Sequence, residues 1–156
     1  MKSPLLFIGV LSLLSSCRLF EKKEQPDLVE EKLHMIEADK AFSRLSEEKG
    51  IKTAFLEYLD SNGVLLRPNQ FPLVGADAVD YLLRQNDSNF VLKWEPKNGS
   101  IAHSGDLGFT YGIYALYAAD KDTTIYGNYV SIWKKQKDGS WKYILDSGNE
   151  GVGESE

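Results

Sequence analysis

Apolar residues recur at helical spacing in the first part of the chain that carries a core-forming pattern. Within residues 27–48, positions 28, 35, 38, 42 and 45 are apolar, which predicts a helix with one buried side. Asp27 is suited to cap the start of this helix, and Lys49-Gly50 to end it. Two shorter helices are predicted over residues 51–59 and 75–85 by the same spacing of apolar positions.

After Asn86 the helical period gives way to segments rich in β-branched and aromatic residues. These segments predict strands at 90–95, 109–118, 124–135 and 141–147. A further short strand is predicted at 64–66, before the third helix. Asn98-Gly99 and Asp138-Gly139 are typical of tight hairpin turns, and residues 60–63 predict a further turn. We therefore expect an α+β fold in which three N-terminal helices pack on one face of a strongly curved antiparallel sheet.

The strand at 109–118 has two unlike faces. One face carries Phe109, Tyr111 and Ile113, and the other carries Thr110, Gly112 and Tyr114. The bulkier face is expected to lie under the helices, which would place Tyr111 inside and Tyr114 on the exposed face. Since aromatic residues occur on both faces, we also expect the exposed face, near Tyr114, to form a homodimer interface.

The chain begins with a short apolar run that ends at its single cysteine. Residues 5–14 are almost all apolar; the run is shorter than the roughly 20 residues that span a bilayer and fits the hydrophobic region of a secretory signal. Leu14-Ser15-Ser16-Cys17 resembles the lipobox of bacterial lipoproteins, in which the cysteine is lipidated. The alternative is an incidental cysteine behind an ordinary signal peptide.

These features predict the organisation of the whole chain. We expect a signal peptide over residues 1–16, a lipidated Cys17 with a charged tether over 17–26, a folded domain over 27–149 and a flexible tail over 150–156. The protein would then be exported and held by its lipid at a bacterial envelope membrane.

Composition narrows the function classes. The 156 residues contain 18 Lys and Arg against 23 Asp and Glu, for a net charge of -5, which argues against a nucleic-acid partner. One Cys excludes an internal disulfide, and two His residues argue against a multi-histidine metal centre. We expect neither a metal nor a cofactor.

Four segments resemble the DUF4440 or SnoaL-like branch of the NTF2-like superfamily: residues 38–42, 104–112, 127–135 and 138–142. The resemblance covers residues 27–149 and implies a cone made of helices and a curved sheet, a central pocket and frequent homodimers. Relatives include ketosteroid isomerases, polyketide cyclases, dehydratases and non-catalytic binding modules, so the resemblance leaves the function open.

Asp39 is the candidate acid of that pocket. Met35, Ile36 and Phe42 surround it at helical spacing, so its carboxylate faces or borders the buried side. Burial disfavours the ionised carboxylate unless it is paired, which is typical of a pocket acid or base. The alternative is a structural role, with the carboxylate bonded to a strand backbone or to a tyrosine hydroxyl; Tyr111 is the expected partner.

The candidate ligand-binding residues are Asp39, Tyr58, Trp94, Tyr111 and Tyr129. An aromatic wall with a few polar groups suits a small apolar ligand, although each of these rings could equally serve core packing. Asp146 is a further candidate acid on the last strand, with an ordinary strand-end carboxylate as the alternative.

Two function classes remain open. In the first, the chain is an envelope lipoprotein whose pocket binds a small, largely apolar ligand or whose sheet binds a protein partner. In the alternative, it is an isomerase, cyclase or dehydratase in which Asp39 or Asp146 removes a proton and Tyr111 or Tyr58 stabilises the oxyanion. The second class requires the acid and the hydroxyl to converge on one substrate position.

Overall fold

The computed structural model describes residues 26–118 and 124–152 of the chain. The elements in chain order are α1 (Leu28–Lys49), α2 (Ile51–Tyr58), β1 (Leu59–Leu66), β2 (Leu73–Val74), α3 (Ala76–Arg84), β3 (Phe90–Ile101), β4 (Leu107–Ala118), β5 (Thr124–Lys135) and β6 (Trp141–Glu150). The predicted signal peptide and Cys17 lie outside the described residues. Among the described helices, none is both long and apolar enough to cross a membrane.

All six strands form one sheet in the order β2-β1-β6-β5-β4-β3. Strands β3 to β6 form the expected antiparallel meander, but β1 pairs with β6 in parallel. The prediction of a fully antiparallel sheet is therefore wrong at this one pair. The reason is that β2 and α3 separate β1 from the meander, so β1 joins the sheet through a crossover instead of a hairpin.

Two predicted turns lie inside strands. Residues 60–63 belong to β1, where its pairing with β6 shifts register. Asn98-Gly99 belongs to β3, next to an irregularity that begins at Pro96, and the chain reverses instead between Ala102 and Leu107, which share a backbone hydrogen bond of 2.7 Å. Both turn signals are accommodated as irregularities within a paired strand.

The core is built around Phe42 on α1. Its ring stacks on Tyr58 and Tyr143, with centroid distances of 4.9 and 5.5 Å, and contacts Phe55 and Trp94 edge to face at 4.8 and 4.5 Å. Such pairs add about 0.5–1.5 kcal/mol each beyond the burial of apolar area. This cluster fixes α1 and α2 against the concave face of the sheet.

The buried side of α1 also carries a polar stripe of Asp39, Ser43 and Ser46. The Ser43 hydroxyl donates to the carbonyl of Trp94, and the Ser46 hydroxyl donates to the carbonyl of Leu92, each at 2.7 Å. Since both acceptors lie on β3, these bonds set the position of α1 along that strand.

The helices cover the face of β4 with the smaller side chains, which is the opposite of the expectation from side-chain size. The covered face holds Gly108, Thr110 and Gly112, all buried, and the outer face holds Phe109, Tyr111 and Ile113, which are 43%, 46% and 37% exposed. A Cβ at Gly108 would lie 2.6 Å from the sulfur of Met35 on α1. The helix therefore packs on the face that lacks bulky side chains, and the prediction that Tyr111 is covered is wrong.

Candidate functional site

A cavity of about 400 Å³ opens between the concave face of the sheet and helices α2 and α3. Its size falls within the range of small-molecule sites. The apolar part of its wall includes Phe55, Leu82, Leu92, Trp94, Leu116 and Tyr129. These side chains come from two helices and three strands, so the cavity depends on the whole fold.

Asp39 lies fully buried behind this wall. Its carboxylate accepts hydrogen bonds from Trp94 Nε1 at 2.7 Å and from the Tyr129 hydroxyl at 2.8 Å. Thr110, which accepts a bond from Trp133 Nε1 at 2.8 Å, lies beside the same carboxylate. The polar atoms of Trp94 and Tyr129 are thus taken up by Asp39, and the part of the wall that they form is mainly carbon.

Burial raises the pKa values of both Asp39 and Tyr129. It raises the pKa of Asp39 above its usual value, while the neighbouring polar groups of Trp94, Thr110 and Tyr129 act in the opposite direction. Burial also raises the pKa of the Tyr129 hydroxyl well above its usual value, with a further contribution from the negative charge of Asp39. Tyr129 therefore stays protonated and remains a donor to Asp39.

A second acid, Asp146, lines the cavity from β6. One of its carboxylate oxygens accepts from Arg67 Nη2 at 2.7 Å, and the other accepts from the Ser131 hydroxyl at 2.8 Å. The Arg67 guanidinium also donates to the carbonyls of Leu66 and Asp146, and it lies 5.4 Å from the ring centroid of Phe55. Asp146 and Arg67 together form a partly buried, charge-balanced pair in the cavity wall.

No group of three or more His, Cys, Asp or Glu side chains is placed to hold a metal ion anywhere in residues 26–118 and 124–152.

Comparison with known proteins identifies the architecture. No family model and no curated protein sequence matches the chain. A ketosteroid isomerase-like protein from Erwinia carotovora superimposes with a TM-score of 0.62 at 17% identity, covering 78% of this chain and 98% of that one. An NTF2-like protein with a cystatin-like fold from Novosphingobium aromaticivorans gives 0.62 at 12% identity, covering 78% and 82%. An NTF2-like superfamily protein from Salmonella enterica gives 0.60 at 13% identity, covering 82% and 99%.

The chain has an NTF2-like fold. The predicted α+β class, with three helices on a curved sheet, is confirmed. At these low identities the likeness concerns the fold, and the activities in those names belong to those proteins.

The NTF2-like cone brings together only part of the predicted site. Trp94, Tyr129 and Asp146 line the cavity, and Asp39 lies directly behind it. Asp39 is bonded to a tyrosine hydroxyl, as one of the two interpretations of this residue required, but the partner is Tyr129 and not Tyr111.

Two predicted residues lie elsewhere. Tyr111 is on the outer face of the sheet. Tyr58 stacks on Phe42 and lines a separate groove with residues of α1 and the β5–β6 turn. Neither phenol reaches the cavity, so the expected pairing of Asp39 or Asp146 with Tyr111 or Tyr58 around one substrate is not formed in this structure.

The sequence interpretation missed Arg67 and misplaced Tyr114. Arg67 directly follows the apolar residues 64–66 and precedes Pro68. The only feature of the sequence that could have indicated its role is this single basic residue at the end of a strand. Tyr114, expected on the exposed face, lines the cavity instead. Alternation along β4 would have found it once the covered face was known, because Tyr114 shares that face with Thr110 and Gly112.

Proposed function

We propose that this protein is an exported, lipid-anchored binding protein whose NTF2-like cavity holds a small, largely apolar ligand. One observation carries the proposal: the cavity of about 400 Å³ has a wall in which Trp94 and Tyr129 turn their polar atoms to the buried Asp39. A wall that offers carbon surface and fixed rings favours apolar or aromatic molecules.

The geometry favours binding over the isomerase, cyclase or dehydratase alternative. Asp39 does not line the cavity, and its carboxylate already accepts from two rings. Asp146 does line it, but both of its carboxylate oxygens hold protein partners. A general base must lie within hydrogen-bond reach of the substrate proton; Asp39 lies behind the wall, and Asp146 is held in an ion pair with Arg67 at 2.7 Å.

Binding is tested with the neutral fluorophore N-phenyl-1-naphthylamine, which brightens in apolar surroundings. Leu116→Trp adds bulk to the cavity wall, and we expect it to weaken binding about tenfold, the equivalent of about 1.4 kcal/mol. The matched control is Ile113→Trp, which adds similar bulk to the same strand on the outer face, 37% exposed. Equal affinity of the two folded variants would place the fluorophore outside the cavity and defeat the proposal.

The membrane anchor rests on Leu14-Ser15-Ser16-Cys17 behind the apolar run. We expect Cys17→Ser to release the protein from the membrane fraction and to abolish fatty-acid labelling, because Cys17 is the chain's single thiol. Ser16→Ala keeps a small residue beside the cysteine and should leave both properties intact. Labelling that persists in Cys17→Ser would show that the lipid is attached elsewhere.

We also infer that the chain is a divergent member of the DUF4440 or SnoaL-like branch. The segments that carry this resemblance include residues 38–42, 104–112 and 127–135. They contribute Asp39, Thr110 and Tyr129 respectively, and these three side chains meet in one buried network. The resemblance thus falls on residues that contact one another across α1, β4 and β5.

A further inference from the structure

More acidic than basic side chains line the cavity. They are Arg67, Asp87, Asp146 and Glu150. Arg67 is the one basic residue among the described lining residues, and its pairing with Asp146 at 2.7 Å leaves no net charge on that pair. Asp87 and Glu150 remain and give the cavity an excess of two carboxylates, an arrangement that attracts cations and repels anions.

The two remaining acids lie at the rim. Asp87 follows α3, and its carboxylate accepts the backbone N–H of Lys52 at 2.7 Å. Glu150 ends β6 and is exposed, and its negative charge contributes to a raised pKa of the Tyr114 hydroxyl, behind the larger effect of burial. Tyr114 and Glu150 both pair with Gly127 of β5, from opposite sides, so Glu150 lies near an aromatic ring that lines the cavity.

Six aromatic rings also line the cavity. They are Phe55, Tyr81, Phe90, Trp94, Tyr114 and Tyr129. The faces of such rings attract a cation by about 0.5–2 kcal/mol, and more when water is excluded. The protein already places one cation against this lining, since the guanidinium of Arg67 lies 5.4 Å from the centroid of Phe55.

Two donors of the same wall are not available to an anion. The Trp94 N–H and the Tyr129 O–H both donate to Asp39, so neither is available to a carboxylate or phosphate in the cavity. An anion would enter past two rim carboxylates and lose its hydration without gaining these donors.

We propose that the cavity selects an apolar organic cation, a hydrophobic amine or quaternary ammonium compound whose charged group lies among aromatic rings near Glu150. This inference rests on the proposed binding function and adds the chemical class of the ligand. The apolar body packs against the wall of Leu92, Leu116 and Trp94, and the charge stays towards the acidic rim.

The test compares three probes with the same ring system, at pH 7 and low salt: 1-naphthylmethylamine, 1-naphthylmethanol and 1-naphthoate. Titration calorimetry gives the three affinities. We expect the amine to bind about tenfold more tightly than the alcohol, and the naphthoate to bind most weakly.

Matched variants identify the source of the selectivity. Glu150→Gln should reduce the preference for the amine over the alcohol about threefold, because one rim charge is lost. Glu30→Gln removes the same charge from the first turn of α1, away from the cavity lining, and should leave the preference unchanged. Equal effects of the two variants would mean that the selectivity reflects net charge alone and would overturn the proposal.

The outcomes separate this inference from the function on which it rests. If the alcohol binds as tightly as the amine and Leu116→Trp weakens both, the cavity is a binding site without selectivity for cations, and only the present inference fails. If none of the three probes binds and N-phenyl-1-naphthylamine also fails to bind, both proposals fail.

Discussion

At the residue scale, Asp39 links two aromatic side chains that are 35 positions apart, Trp94 and Tyr129, through hydrogen bonds of 2.7 and 2.8 Å. A fully buried carboxylate is costly unless its oxygens are satisfied. Here the bonds that satisfy Asp39 also orient the cavity wall. Asp39 therefore acts on a ligand through Trp94 and Tyr129, as a positioning residue that does not itself reach the cavity.

Replacing this carboxylate should destabilise the fold. The amide introduced by Asp39→Asn would keep one oxygen acceptor and replace the other with an N–H₂ group, so either Trp94 or Tyr129 would lose the acceptor for its N–H or O–H. We expect the free energy of unfolding to fall by about 1–3 kcal/mol, measured by urea denaturation. Asp80→Asn, an exposed position on α3, serves as the control and should change stability by less than about 0.5 kcal/mol. Equal stability of wild type and Asp39→Asn would show that Asp39 has no structural role.

The cost of this substitution should also depend on pH. Burial raises the folded-state pKa of Asp39 above the ordinary value of 3.8, so the folded state binds the proton more tightly than the unfolded state. The contribution of Asp39 to stability is therefore full below pH 3.8 and declines as pH rises through the folded-state pKa. We expect the stability difference between wild type and Asp39→Asn to narrow as pH rises from about 4 to 8. A difference that widened over this range would contradict the raised pKa.

At the scale of elements, β4 shows how side-chain size can mislead. Alternation along the strand correctly separated Phe109, Tyr111 and Ile113 from Thr110 and Gly112, because the period of a strand is two. It could not say which set is covered. Helix α1 packs where its own Met35 can approach the backbone, and this requires the side of the strand without bulky groups.

This close approach predicts the effect of a single methyl group. In Gly108→Ala the new Cβ would lie 2.6 Å from the Met35 sulfur, so we expect a loss of about 1–3 kcal/mol in the free energy of unfolding from overpacking. Met35→Ala alone should also destabilise, by loss of buried volume. Combined, the two should cost less than the sum of their separate effects, because the clash with the Met35 sulfur is gone while the one with the Ser100 carbonyl oxygen, 2.5 Å from the Cβ position, remains in both. Additive effects in this double-mutant cycle would show that Met35 does not limit the approach of α1.

Other elements were predictable to different degrees for equally physical reasons. The capped helix over residues 27–48 was predicted within one residue, because Asp27 accepts from the first backbone N–H groups of α1. The parallel pairing of β1 with β6 was not predictable, since it depends on a crossover through α3 and not on any local signal. The ion pair of Arg67 with Asp146 joins residues 79 positions apart, a contact that local periodicity does not reveal.

At the scale of the whole molecule, the outer face of the sheet is unusually apolar. It exposes Phe109, Tyr111 and Ile113 on β4, and Val130 on β5 lies directly opposite Tyr111 in the pairing of the two strands. Neighbouring exposed apolar side chains of this kind mark interaction surfaces. We propose that the surface binds a second copy of this chain, and that its centre is Tyr111 and not Tyr114, which lines the cavity.

Self-association through this face gives the last prediction. Sedimentation of the Cys17→Ser chain at micromolar concentration should yield twice the monomer mass, and added salt should favour the dimer because each copy carries a net charge of -5. Tyr111→Lys places a charge at the centre of the surface and should give monomers. Phe71→Lys is the control, since Phe71 is 91% exposed but lies outside the sheet face, and it should leave the dimer intact. A monomer at every accessible concentration, or equal disruption by the two lysine substitutions, would exclude the outer face as the interface.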